Sequence, residues 1–414
     1  MLKRLFQYGR QLSPADGELA PRGIDLWMLA AIVALVSLGI VMVYSGSAVF
    51  AGARYKDGEF FLRRQLVYAA LGCLALYVGA RLDYGIYQRF TYPMLLASAL
   101  SLCALLIPGL GTRVDGAVRW FRLGGISFQP SEPAKFSLLV YLSYSLAKKR
   151  HTMSSFSIGV LPHLLVAGLM ALMVLLQPDL GTSAVMIAVT LILLLVAGAR
   201  LTYVVIALLA GFPLAYQQIV GTPWRMRRLL AFLDPWSYRR SAGYQISESL
   251  ISIGSGGLRG LGLGEGRQKL FFLPAAHTDF VFAIIGEELG FTGLAAVVGL
   301  FLLLVLRTLR ASFAARDLFG GYLAFGCAAL IAVQALLHMA VVTGLAPTKG
   351  ITLPFVSYGG TALITMMFIA GVALNISGRY PRPAPVSRRR LPDGNRRRPQ
   401  RVVVAGAEGH SEAV

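Results

Sequence analysis

The sequence predicts an all-α polytopic membrane protein of about ten transmembrane helices, with a long extracytoplasmic loop between helices 7 and 8. Two observations carry that prediction. The 414 residues are 56% hydrophobic and 14% charged, and the apolar residues recur in runs approaching the roughly 20 residues that cross a bilayer. The 39 Lys and Arg, against 19 Asp and Glu, fall largely in connections and in the C-terminal tail. The net charge of +20 follows from that distribution, so no nucleic-acid partner is expected. Cys73, Cys103 and Cys327 all lie in apolar runs and suggest neither a disulfide framework nor a thiolate metal site.

Taken in order, spans are expected near 24–46, 65–80, 92–108, 134–147, 158–176, 182–199, 201–219, 280–306, 320–343 and 358–377. The polar arm 1–23 precedes the first run without a small-residue cleavage site, which reads as a retained span with a cytoplasmic N-terminus. With that orientation the inside loops carry Arg81 and Arg89, Lys148 to His151, Arg200, and Arg307, Arg310 and Arg316, as the positive-inside rule requires. The domain proper is then 24–378. The Pro- and Arg-rich segment 379–414 reads as a disordered cytoplasmic tail attracted to anionic headgroups.

Four polar stretches rich in Gly or Pro then fall on the outer face: 111–135, "QPDLGT" at 177–182, the long loop 220–279, and "GLAPTKGITLPFVSYGG" at 344–360. Non-helical backbone at membrane depth is tolerated where it is buried in protein or lines a wet cavity, so these stretches predict one outward-facing polar chamber. The long loop holds Arg225, Arg227, Arg228, Arg239, Arg240, Arg259, Arg267 and Lys269, a concentration of cations suited to a lipid-anchored anion such as a lipid diphosphate.

Individual residues follow from that placement. Ser131 is expected to cap span four, with Glu132 and Lys135 three apart on one helix face and able to pair. Asp179 reads as an N-cap of span six. "GSGGLRGLGLGEG" at 254–266 lacks the flanking strand, the following helix and the Gly-Lys-Ser/Thr ending of a phosphate loop and reads as a close-approach backbone turn lining the chamber. Asp279 stands where the basic loop meets an apolar helix, a depth at which partial desolvation brings a carboxylate toward the range of a general base. Glu287 and Glu288 lie deeper. Adjacent helical residues point about 100° apart, so the two are expected to face different walls, one of them bonded to a buried donor, with Lys349 or a loop arginine as possible partners. No His or Cys array surrounds His277 to make it a metal ligand.

The stretches "RWFRLGGISFQPSEPAK", "PDLGT", "GYQISESLISIGSGGLRGLGLGEGRQKLFFLPAAHTDFVFAIIGEELG" and "GLAPTKGITLPFVSYGG" resemble the SEDS family of cell-wall glycosyltransferases over nearly the whole membrane portion. "PTKGITLP" is similar to the division branch of the family, since the elongation branch usually lacks that Lys. The resemblance implies ten transmembrane helices, polymerisation of lipid II at the outer face of the inner membrane, location at the septum, and partnership with a class B penicillin-binding protein (an FtsI-like transpeptidase) and other division proteins. It implies Asp279 as the essential acid and a role for Glu132 and Lys135. With these two, Arg119 and Lys349, which face the chamber, and His277 and Ser357 are candidate substrate contacts, and Glu287, Glu288 and Asp179 are expected in supporting roles. Three positions depart from the family pattern: Ala275 replaces a Glu, Glu248 a Gln and Thr361 a Ser. The first removes the carboxylate that would stand beside Asp279.

The expected reaction inverts the anomeric carbon with Asp279 as single base. The leaving diphosphate would be stabilised by loop arginines, Lys135 or a divalent cation, Mg or Mn. The competing expectations are a lipid II transporter and a non-enzymatic division scaffold.

Overall fold

The computed structural model describes residues 23–378 apart from 115, 116, 124, 125 and 271. The N-terminal arm and basic tail expected from the sequence lie outside the described residues. Each of the ten expected spans coincides with a helix: α1 (Leu26–Tyr55), α2 (Phe60–Arg81), α4 (Thr91–Ala104), α5 (Ser131–Lys148), α6 (Leu161–Leu176), α7 (Leu180–Val196), α8 (Leu201–Val220), α11 (Val281–Phe313), α12 (Leu318–Val342) and α13 (Gly360–Ser377). A short α3 (Gly85–Arg89) joins α2 to α4, and a π-helical turn (Phe156–Val160) leads into α6.

Among the described residues seven of these helices, α1, α2, α6 with its π-turn, α8, α11, α12 and α13, are long and apolar enough to cross a membrane. The apolar α4 and α7 are shorter. The remaining helix, α5, is buried along most of its length, so protein covers Glu132 and Lys135, while Lys148 at its C-terminal end is exposed.

Two features depart from the expected all-helical chain. The stretch 111–128 folds into a three-stranded antiparallel sheet, β1 (Thr112–Val114), β2 (Ala117–Leu123) and β3 (Ile126–Phe128), in that order. The β-branched and aromatic residues of "AVRWFRL", Val118, Trp120 and Phe121, favour the strand. Second, the long loop is half helical: α9 (Pro223–Leu233) follows α8 directly, and α10 (Tyr244–Gly256) packs on α11. Ser249 and Ser252 of α10 donate to the carbonyls of Val342 and Ala283, which fastens that helix to α12 and α11.

The buried core is contributed mainly by α1, α5, α7, α11, α12 and α13, and α2 packs against α13. Helices α2 and α13 approach backbone to backbone: a Cβ on Gly371 would lie 2.3 Å from the Leu76 carbonyl oxygen, and one on Gly79 2.6 Å from that of Phe368. Close approach through small residues is how helices associate where lipid is as apolar as the side chains. At the end of the bundle away from the sheet, Asp25 caps α1 and pairs with Arg307 at 2.7 Å, and Asp317 caps α12 and accepts from the Tyr84 hydroxyl at 3.0 Å. The expected cap of α5 is not formed by Ser131. Pro130 precedes the helix without a side-chain cap, and the Ser131 hydroxyl accepts instead from the Gln129 amide at 3.0 Å.

Candidate active site

The four polar stretches meet at one end of the bundle and enclose a cleft of about 100 Å³. The sheet contributes Arg119, the α6–α7 turn Asp179, helix α9 Trp224, Arg225 and Arg228, and the α12–α13 segment Thr348, Lys349 and Gly350. Sequence separations of more than two hundred residues are thus closed by the up-and-down path of the helices. Of the many loop cations, the structure selects Arg225 and Arg228 for this cleft, beside the expected Arg119 and Lys349.

Each cleft group is set in place by a specific contact. Arg119 donates from Nε to the Gln177 carbonyl at 3.1 Å and from Nη2 to the Pro178 carbonyl, which ties β2 to the end of α6. Arg225 donates from Nη1 to the carbonyl and the side-chain oxygen of Gln218, at 2.9 and 2.6 Å, while its Nε is buried without a hydrogen-bond partner. Both Arg225 and Arg228 lie 5.1 Å from the Trp224 ring centroid. As expected, Asp179 caps α7, accepting from the Thr182 N–H at 3.0 Å and its hydroxyl at 2.9 Å.

Burial lowers the pKa values of Arg225, Arg228 and Lys349 from their usual ranges. For Arg228 the neighbouring Asp279 opposes that effect and Arg119 adds to it; for Lys349 Asp179 opposes it and Arg225 adds; for Arg225 the added push comes from Arg119. These mutual influences place the four cations within reach of one another around two carboxylates.

Asp279 sits at the edge of this cleft, half buried, just before α11. A Cβ on Gly350 would lie 3.0 Å from its Oδ2, so the glycine lets the carboxylate approach the Lys349 segment. The helix begins after Phe280 with no side-chain cap, so Asp279 does not serve as its N-cap. The backbone around it is held from both sides. The Asp279 N–H donates to the Ala275 carbonyl at 3.1 Å, the Tyr358 N–H to the His277 carbonyl at 2.9 Å, and the Ser357 hydroxyl to the Thr278 carbonyl at 2.6 Å. Ser357 is therefore engaged with backbone and positions the loop. The His277 ring packs among Phe50, Phe61 and Tyr358, and burial pushes its pKa down to about 4, which leaves a neutral imidazole near pH 7.

Glu132 and Lys135 pair as expected, Nζ to Oε2 at 2.9 Å, and Lys135 also donates to Gln334 at 2.9 Å. Gln334 in turn donates to the Thr352 carbonyl at 3.2 Å, so the pair braces the α12–α13 segment from below. Both charges are buried and neither lines the cleft.

Glu287 and Glu288 point apart as expected, toward Ser252 of α10 and Ser45 of α1, but correct the expectation that Lys349 or an arginine is the partner. Both grip the same segment, 264–269. Glu287 accepts from the backbone N–H groups of Arg267 and Gln268 at 2.7 and 3.2 Å; Glu288 pairs with Lys269 at 2.8 Å and accepts from the Gly264 N–H at 3.1 Å and the Ser45 hydroxyl at 2.6 Å. A segment that wraps the helix can meet two directions at once. The wrap starts at a break in α11, where Gly290 has φ 66 and ψ −164. The Glu287 and Glu288 carbonyls accept there from the N–H groups of Leu261 and Gly262, and the Phe291 and Thr292 N–H groups donate to the carbonyls of Gly257 and Leu258. A Cβ on Gly290 would lie 2.3 Å from the Gly260 nitrogen. The glycine run is thus a close-approach turn, as expected, but it packs against the helix break and does not line the cleft.

The departures at the other motif positions are accommodated. Glu248 pairs with Arg239 at 3.0 Å, and Thr361 accepts from the Gln129 N–H and donates to the Ser127 carbonyl, both at 3.2 Å. Ala275 adopts φ 55, a left-handed conformation. Among the described residues no three His, Cys, Asp or Glu side chains converge as a metal site.

A bundle that, among the described residues, has seven helices long and apolar enough to cross a membrane and gathers four cations and a flanking carboxylate at one end has the architecture of a polytopic membrane protein. The chain belongs to the FtsW/RodA/SpoVE family, the SEDS proteins: residues 26–380 match that family, described as cell cycle protein. The chain is 46% identical over 353 residues to a probable peptidoglycan glycosyltransferase FtsW of Trichlorobacter lovleyi, covering 85% of this chain and 93% of the relative. Among solved structures it superposes with TM-score 0.71 and 28% identity on a chain from a peptidoglycan synthase complex that coordinates polymerization and crosslinking, covering 86% of this chain and 98% of that one. The rod shape determining protein RodA of Thermus thermophilus gives TM-score 0.64 at 28% identity, over 87% of this chain and 98% of RodA.

Proposed function

We propose that the chain is an FtsW-type peptidoglycan glycosyltransferase, polymerising lipid II into β-1,4 glycan at the outer face of the bacterial inner membrane during septal wall synthesis. The observation that carries this reading is the cleft itself, in which Arg119, Arg225, Arg228 and Lys349 converge beside Asp279. In the reaction, the 4-hydroxyl of the acceptor sugar gives its proton to Asp279 as its oxygen attacks the anomeric carbon of the donor. The bond from that carbon to the diphosphate breaks with inversion, and the leaving diphosphate departs with the bonding pair. Arg228 and Lys349, with the unpartnered Nε of Arg225, are the groups that meet its charge. No second carboxylate is required, which suits Ala275 next to the HTDF segment.

The arrangement gives less support to transport, because its charges gather at one end of the bundle whereas alternating access needs a site reachable from both. We assign both termini to the cytoplasm from the cation distribution. A class B penicillin-binding protein, the FtsI-like transpeptidase, is the proposed partner, in line with the complex containing the structural neighbour. Purified protein reconstituted with lipid II, with and without that partner, tests the reading. Glycan chains that disappear in Asp279→Asn with folding intact support it. Lipid movement without polymer, or neither activity, would replace it with transport or scaffolding.

A further inference from the structure

The carboxylate clamp on α11 has a position relative to Asp279 that its folding role alone does not require. Lys269 and Glu288 are joined by an ion pair at 2.8 Å and are both buried. That contact closes residues 269–288 into a ring with Asp279 near its middle. Ser45 of α1 completes the join, donating to Glu288 at 2.6 Å and accepting from Lys269 Nζ at 3.1 Å, and Lys269 also donates to the Gly264 carbonyl at 2.6 Å. On the far side of the ring, residues 277–279 are held by backbone contacts to Ala275, Ser357 and Tyr358 and by the His277 ring among Phe50, Phe61 and Tyr358. The arm that leads to Asp279 starts at Lys269 and packs into the core through Leu273 and Ala276.

We propose that Lys269, Glu288 and Ser45 are positioning residues that set where the Asp279 carboxylate stands against Gly350 and the cleft cations. This rests on the reading of Asp279 as the base. A misplacement of about 1 Å can cost 10²-fold in rate without touching substrate affinity, so the clamp acts on turnover.

The test joins a structural readout to a kinetic one. A disulfide between Asp279→Cys and Gly350→Cys, in a chain with Cys73, Cys103 and Cys327 replaced by Ala, reports the approach of the two segments independently of catalysis, because a Gly350 Cβ would lie 3.6 Å from the Asp279 Cγ. The disulfide should form on mild oxidation in that background and be lost when Lys269→Met is added. In the otherwise unaltered chain, Lys269→Met should lower kcat by about 10²-fold with KM unchanged, and Lys269→Arg should restore most of it. If Lys269→Met does not fold, as judged by size exclusion and thermal melting, Ser45→Ala is read in its place, with slower disulfide formation and a smaller loss of kcat expected. Disulfide formation and kcat unchanged in a folded clamp variant would overturn the proposal, as would kcat lost with the disulfide intact. If the unaltered chain makes no glycan, the reading of Asp279 as base fails, while the disulfide still decides whether the clamp sets its position.

Discussion

The bundle interior and the cleft treat charge in opposite ways. Inside, the buried cations Lys135 and Lys269 each stand against a glutamate within 3 Å. In the cleft, Arg119, Arg225, Arg228 and Lys349 outnumber Asp179 and Asp279, and burial weakens the hold of three of them on their protons. Matched charges fix the fold, whereas the excess at the cleft gives an anionic ligand something to complete.

Four experiments test that contrast. The largest effect is expected at the cleft edge: Asp279→Asn should reduce glycan synthesis by roughly 10²–10⁴-fold, the usual contribution of a positioned base, with the melting temperature preserved. Interior charge should behave in reverse. Lys135→Met leaves Glu132 buried without its partner and should cost about 3–5 kcal/mol of stability, read as a lowered melting temperature. A folded protein of unaltered melting temperature would show that the pair is not what braces the α12–α13 segment. Arg228→Gln should leave stability nearly unchanged while lowering kcat/KM by about tenfold to a hundredfold, the worth of a hydrogen bond to a charged group. If it instead unfolds the protein, the cleft cations belong with the interior.

The fourth concerns pH. The His277 imidazole stays neutral in the folded chain down to about 4, whereas an unfolded histidine takes up its proton near 6.5. Folded stability is therefore lost as pH falls from about 6.5 toward 4. His277→Phe, which fits the ring cluster of Phe50, Phe61 and Tyr358, should make melting less sensitive to acid over that window.

Much of this was legible in the sequence because hydrophobic runs and their bounding charges obey bilayer length and cation retention. The ten helices, the gathering of four polar stretches, the Asp179 cap and the Glu132–Lys135 pair all follow from local spacing. The partners of Glu287 and Glu288 did not, because the apolar pattern continues through Gly290 and hides the break that lets residues 257–269 wrap the helix. Strand β2 was missed for a related reason: a run as short as "VRWFRL" gives little period-2 signal beside long spans. Ser131 looked like a cap because Ser favours that position, yet Pro130 starts the turn one residue earlier. Among the loop cations nothing in the spacing distinguished Arg225 and Arg228; their selection depends on where α9 lands after α8.

The break at Gly290 also divides α11 by occupation. Residues 281–288 are all buried, whereas Phe291, Val298, Leu302 and Leu306 beyond it are exposed. In engineering terms the helix is two modules joined at a seam: the first travels with the active site, the second forms part of the outer wall. Chimeras between members of this family should be cut there, where the backbone has already exchanged its hydrogen bonds with another segment.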